Sequence, residues 1–249
     1  KVSENIYADA VGQMPGVNIS TYVLAMGFWD AILLALSLGF IAAAGYIIND
    51  IHDQHADQIN KPERRTINTV ISEETGIRAF AVLSIAGMLC GAIVSYQIDQ
   101  LNYLFIHAMA IALLWLYAMD FKGRLLIGNV MIGILAGLNV WMIALYDFLP
   151  SGAQLNAAQY SHFLIISGLA LFAIVITIMR EMVKDLEDEK GDRALGYNTI
   201  GTSMKLSYAK GIIVALGLVV LIGLGTVARA WQTDPVALWV VLVALIAPL

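Results

Sequence analysis

The chain has 249 residues, 59% of them hydrophobic and only 13% charged, with a mean hydropathy of +0.77. A soluble domain of this size carries about 25% charged residues, so that class is excluded, and the apolar runs are too long and unbroken for a β-barrel. The net charge of −5, with no basic stripe carrying interleaved aromatics, leaves no case for nucleic acid as a partner. What remains is an all-α, polytopic transmembrane helix bundle seated in a lipid bilayer.

Residues 1–20 are mixed in character, and Pro15 and Gly16 break any helix there. Apolar spans then follow at about 21–48, 77–96, 102–119, 126–147, 161–182, 209–229 and 236–249. That makes seven, the last incomplete, each near the roughly 20 apolar residues a bilayer requires. Ser72 followed by Glu73 and Glu74 reads as an N-cap with first-turn acids, opening the second span. The single cysteine, Cys90, has no partner for an internal disulfide and reads as a small buried packing residue. Gly39, Gly45, Gly87, Gly91, Gly133 and Gly137 fit close helix packing. Asn129 and Asn139 lie within a span, where an amide most often bonds to a neighbouring helix. His107 and His162 read as interfacial.

The loops set the orientation. Lys61, Arg64, Arg65, Arg78, Lys122, Arg124, Arg180, Lys184, Lys190, Arg193, Lys205 and Lys210, 12 of the 14 Lys and Arg, sort to one side of these spans. Only Lys1 and Arg229 fall on the other, so the first side is predicted to be cytoplasmic. The chain starts at Lys1 and stops at Leu249 inside an apolar run. It therefore reads as a single transmembrane domain, 1–249, cut short at both ends, with an earlier span expected if the intact protein begins in the cytoplasm.

Two segments carry nearly all the polar chemistry. The first, Asn49 to Arg65, follows directly on the first span and places Asp50, Asp53 and Asp57 at intervals of three and four. The second, Arg180 to Arg193, closes the fifth span and repeats that interval with Asp185, Asp188 and Asp192. Residues at i, i+3 and i+7 share one face of a helix, so each segment is predicted to present a stripe of three carboxylates. Two such stripes facing one another repel unless a cation lies between them. Magnesium, a hard cation, takes one or two carboxylates, some waters and a phosphate. Asn49, four residues before Asp53, can add its amide oxygen to the same shell. Lys61, Arg64 and Lys122 suit a phosphate held partly by metal and partly by donors. The residues thus point to two acidic stripes gripping a magnesium–diphosphate group. His52 and His55 alternate with the acids and raise zinc as an alternative, but simple exposure accounts for them better.

At this point the sequence resembles a known family. The first segment resembles the N-D-x-x-D-x-x-x-D-x-x-N-K-P-x-R-P signature of the UbiA-type intramembrane prenyltransferases, departing over its 17 positions only at Arg65, where the pattern has proline. The second, R-E-M-V-K-D-L-E-D-E-K-G-D-R, resembles that family's second aspartate-rich motif. Tyr117, Lys122, Gly128 and Asn129 are similar to a third pattern, Y-S-x-x-L-K-…-G-N, with Ala118 and Phe121 in place of serine and leucine.

The resemblance implies a nine-helix fold around a central cavity, capped by cytoplasmic loops that carry the motifs. It implies Mg2+ as cofactor, a prenyl diphosphate donor, a lipophilic acceptor, and a cell-membrane enzyme whose site opens near the cytoplasmic side. By role, Asn49, Asp50, Asp53, Asp57, Asp185, Asp188, Asp192 and, as a substitute, Glu189 would bind metal, with Asp53, Asp57, Asp185 and Asp188 central to catalysis. Asn60, Lys61, Arg64, Tyr117, Lys122 and Asn129 would contact the diphosphate. The K-D-L-E-D-E-K-G-D-R form looks most like the branch that makes digeranylgeranylglyceryl phosphate ether lipids. Aromatic, quinone-precursor or chlorophyllide-like acceptors are the enzyme alternatives, and a metal-cation transporter is the non-enzyme one. Transporter acids, however, belong near mid-membrane, and these lie at helix ends beside bases.

Overall fold

The structure, a computed structural model, describes residues 25–150, 155 and 157–230, excluding the side chains of Arg64, Ala157, Ala158 and residues 227–230. The predicted span at 236–249 and the opening loop at 1–20 therefore lie outside the described residues. Helix α1 (Phe28–His52) opens where the Asp30 carboxylate accepts the Gly27 N–H at 2.8 Å, and it continues past a bend as α2 (Gln54–Asn60). A 3-10 turn (Pro62–Arg64) leads to α3 (Glu73–Gln97), capped as expected by Ser72, whose hydroxyl accepts the Thr75 N–H at 3.2 Å. Then come α4 (Leu104–Met119), α5 (Ile127–Phe148) and the long α6 (Ala157–Glu187), which bends into α7 (Glu189–Leu195). A single turn, α8 (Ile200–Ser203), precedes α9 (Leu206–Ala230). Among the described residues there is no strand, only isolated bridges between Ile67 and Ile71 and between Arg124 and Asn198.

Six of these helical stretches are long and apolar enough to cross a membrane: Phe28–His52, Glu73–Gln97, Leu101–Met119, Ile127–Phe148, Gln159–Glu187 and Leu206–Thr226. They coincide with the first six predicted spans. Helix pairings and two apolar clusters hold them together. Helix α1 lies along α3, where the buried Ser37 hydroxyl donates to the Gly87 carbonyl at 2.6 Å. Helix α5 lies along α6, and α1 also meets α4. At one end Leu34, Val94, Ile98, Met142, Leu145 and Tyr146 form a core shared by α1, α3 and α5; at the other, Ile48, Ile51, Ile67 and Ala118 pack beneath the polar segment.

Lipid tails are as apolar as leucine, so helices in a bilayer associate mainly by close van der Waals fit. Gly137 illustrates the consequence: a Cβ there would sit 2.3 Å from Ile174 Cγ1 and 2.8 Å from the Ala170 carbonyl oxygen. Gly137→Leu is expected to destabilise the α5–α6 pair by about 1–3 kcal/mol or more, read as a lowered thermal midpoint in detergent. An unchanged midpoint would show that the two helices can part at no cost. Of the glycines assigned to packing, Gly39 alone has open space beside it.

Three other expectations are corrected. His107 is not interfacial but 1% exposed, packed edge-on to the Tyr146 ring at the α3–α4–α5 junction. Cys90 is only half-buried. Asn139 is exposed rather than bonded into a partner helix, whereas Asn129 is buried.

Candidate active site

Each aspartate segment folds as a helix that bends at its middle acid. Asp53 (φ −82°, ψ −4°) separates α1 from α2, and Asp188 (φ −88°, ψ 5°) separates α6 from α7. The uninterrupted stripe predicted by the spacing is thus broken once in each segment. The backbone hydrogen bonds continue through the first bend: the Asp53 N–H still donates to the Asn49 carbonyl at 2.9 Å and the Asp57 N–H to the Asp53 carbonyl at 2.8 Å. A short polar side chain that competes for backbone partners is the residue type at which a helix bends readily.

The two bent segments meet. Asn60 bridges them, its amide oxygen accepting the Gly191 N–H at 2.8 Å while its nitrogen donates to the Asp188 carbonyl at 3.1 Å. Beside it, Lys61 forms an ion pair with Asp188 Oδ1 at 2.8 Å. On the first segment Asp53, 7% exposed, accepts the Asn49 amide at 2.7 Å and is paired with Lys122 from the α4–α5 loop. On the second, Asp185 Oδ2 accepts the Asn129 amide at 3.0 Å and the Ile200 N–H at 3.4 Å, and Asp192 Oδ2 accepts the Thr199 hydroxyl at 2.8 Å. Gly128 lets the Lys122 loop close, since a Cβ there would stand 2.8 Å from the Phe121 carbonyl and 3.1 Å from Lys122 Cα. Arg65 (φ −66°, ψ 128°) keeps a backbone that proline would also adopt, so its departure from the pattern leaves the turn intact.

Several residues expected at the diphosphate have other partners here. Asn60 and Asn129 hold the second acidic segment, and Tyr117, 7% exposed, directs its hydroxyl to Glu181 at 3.4 Å. Glu189 pairs with Arg193 at 2.7 Å on the exposed side of α7 and does not join the cluster. Asp50, His52 and His55 are exposed. The Arg64 backbone closes the 3-10 turn, but its side chain lies outside the described residues.

Negative charge is in surplus where the segments meet. Burial, and then the Asp53 charge, pushes the Asp57 carboxyl above the usual carboxylate range, with Lys122 and Lys61 opposing and Asp188 adding to the push. Asp192 is raised first by burial, against the Thr199 hydrogen bond and Lys122, with Asp188 and Asp53 contributing. The Tyr197 phenol is raised by burial and by Asp53 and Asp192. Acids from both segments therefore feel one another across the gap.

Among the described residues no three His, Cys, Asp or Glu side chains already converge as a metal cage. Lysine nitrogens stand beside Asp53 and Asp188 instead. The donor set nonetheless fits a hard divalent cation. It is all oxygen, it carries uncompensated negative charge, and the Asn49 amide oxygen is buried without a hydrogen-bond partner. Magnesium does not require an all-protein cage, because waters and substrate phosphate complete its shell. Sequence reasoning gave no role to Glu181, Tyr197 or Thr199. Glu181 had a signal, since it precedes Asp185 by one helical turn, whereas Tyr197 and Thr199 belong to no repeated spacing.

Comparison with known proteins gives the family of the chain. The chain is 32% identical over 194 residues to the digeranylgeranylglyceryl phosphate synthase of Methanobrevibacter smithii, covering 76% of this chain and 63% of that one. It is 32% identical over 200 residues to the enzyme of the same name from Sulfolobus acidocaldarius, covering 80% and 66%. The chain thus spans slightly under two thirds of the length of these curated relatives. The structure of a UbiA homolog from Aeropyrum pernix K1, 18% identical, shares the fold with a TM-score of 0.69 over 88% of this chain and 78% of that one. Residues 18–249 match the UbiA prenyltransferase family as a whole, and the chain, an all-helical bundle with two bent acidic helices clasped at one end, belongs to that family.

Proposed function

We propose that this chain transfers a prenyl group from a prenyl diphosphate to a lipophilic acceptor within the membrane, most favourably a prenylglycerol phosphate in ether-lipid synthesis. One observation carries the reading: the two bent aspartate-bearing segments meet at one end of an otherwise apolar bundle, with Lys61 paired to Asp188 and Lys122 to Asp53. The chain is a multi-pass integral membrane protein, and its Lys and Arg bias supports a site on the cytoplasmic side.

Asn49, Asp50, Asp53 and Asp57 on one segment, and Asp185, Asp188 and Asp192 on the other, would hold Mg2+ together with the diphosphate. Bound there, magnesium supplies positive charge that stabilises the leaving diphosphate. Lys122 and Lys61, and Arg64 by its place in the motif, turn from the carboxylates to the phosphate oxygens and hold the donor in place. Asn60 and Asn129 keep the two acidic segments in register. The apolar helices accommodate the prenyl tail and keep water from the allylic cation. The acceptor is carried over from relatives named for digeranylgeranylglyceryl phosphate.

Purified protein given geranylgeranyl diphosphate and magnesium should form product with a prenylglycerol phosphate and little or none with aromatic acids or quinone precursors. Product with the aromatic set alone would overturn the ether-lipid assignment and keep the prenyl transfer. Transport of divalent cation into vesicles, without product from any acceptor, would overturn the enzyme.

Lys122 gives a second test. Lys122→Ala leaves Asp53 without its cation, so magnesium alone should bind more tightly to the variant than to the wild type. Inorganic diphosphate should bind about 10–100-fold more weakly, the worth of a hydrogen bond to a charged group. Calorimetric titration reads both, and tighter diphosphate binding would remove Lys122 from the substrate.

A further inference from the structure

Glu181 is a carboxylate on a membrane-spanning helix, 6% exposed, and the mechanism above does not use it. Charged groups in such positions are costly and are kept for function. Among the described residues its hydrogen-bond and ion-pair partners are two: the Tyr117 hydroxyl at 3.4 Å and Arg180 at 3.5 Å, the latter on a side chain that is 69% exposed. It precedes Asp185 by four residues on α6, so the two share a face and Glu181 lies about 6 Å further from the loop end. Depth along the helix separates the two roles. Asp185 is bonded at the level of Asn129 and the Ile200 N–H, among the residues that meet the second segment. A diphosphate held there directs its prenyl tail away from the loops, toward the apolar interior, and the reacting carbon comes just inside the phosphates. Glu181 is at that inner level. A carboxylate there repels phosphate but complements an allylic cation and a hydroxyl donor.

We infer that Glu181 is the catalytic residue that receives the acceptor: its carboxylate accepts the hydrogen bond of the acceptor's hydroxyl and takes that proton as the ether bond forms. The inference rests on the prenyl-transfer reading. The bond between the prenyl carbon and the diphosphate oxygen breaks and its electron pair leaves with the diphosphate. The acceptor oxygen then bonds to that carbon, and its proton passes to Glu181. Tyr117, donating to the same carboxylate, holds it toward the reaction centre.

The test uses the wild type, Glu181→Gln and Glu181→Asp, with geranylgeranyl diphosphate, magnesium and a prenylglycerol phosphate. Glu181→Gln keeps size and hydrogen bonding but cannot take a proton, so kcat is expected to fall about 100-fold or more. Donor binding in the presence of magnesium should be retained, and Glu181→Asp should recover part of the rate. Wild-type kcat in Glu181→Gln would overturn the assignment alone. Lost donor binding in Glu181→Gln would overturn it too, by moving Glu181 into the metal–diphosphate site. A wild type that neither binds donor nor forms product would overturn the parent reading, and this one with it.

Discussion

Asp53→Ala and Asp185→Ala are each expected to reduce the proposed prenyl transfer by about 10²–10³-fold, the scale of losing one preorganised group that stabilises transition-state charge. The two residues come from opposite halves of the chain, 132 positions apart (185 − 53). Equal severity is what a single shared site requires. The structural consequences differ. Asp53→Ala strips Lys122 and Asn49 of their common acceptor, leaving a lysine whose side chain is 16% exposed without its ion-pair partner. Asp185→Ala frees only the Asn129 amide and the Ile200 N–H. Asp53→Ala should therefore also lower the thermal midpoint, and Asp185→Ala should lower it less. Turnover assays beside thermal melts of the same preparations separate lost chemistry from lost fold. Full activity in either variant would remove its segment from the site.

A larger structural perturbation comes from a methyl group. In Gly201→Ala, the new Cβ would lie 2.1 Å from the Asp185 carbonyl oxygen. Real Cβ atoms do not approach so closely, and the obstacle is backbone rather than the tip of a flexible side chain. Either α8 moves away or the α6 terminus does. The Ile200 N–H bond to Asp185 is next to the insertion and is the first to lengthen. Overpacking of this kind costs about 1–3 kcal/mol, and misplacing a catalytic group by about 1 Å costs up to roughly 10²-fold in rate. The variant should remain folded, bind the donor more weakly and turn over about two orders of magnitude more slowly. Wild-type kinetics would show that Asp185 is not positioned through α8.

Much of this arrangement was legible in the sequence because a bilayer leaves few options. A backbone in hydrocarbon must satisfy its own hydrogen bonds, so long apolar runs become helices, and six such spans fell where hydropathy put them. The repeated three-plus-four spacing located both acidic segments because helical periodicity puts those positions on one face. The bends at Asp53 and Asp188 were hidden, since spacing alone does not reveal where a helix changes direction. The partners of Asn60, Asn129 and Tyr117 were hidden for a different reason. Each is settled by a neighbour 56 to 131 residues away, which no local pattern encodes. His107 was misplaced because one polar residue near a span end reads as interfacial, whereas the aromatic ring and the bare glycine that enclose it are distant in sequence.

The proposed magnesium-dependent diphosphate site needs both acidic segments at once. The most direct measurement is titration of geranylgeranyl diphosphate into the purified protein, with magnesium and then with the metal chelated. The expected result is binding to a single site that needs magnesium and is lost in Asp53→Ala and in Asp185→Ala alike. Donor binding that survives chelation, or that persists unchanged in either variant, would contradict it.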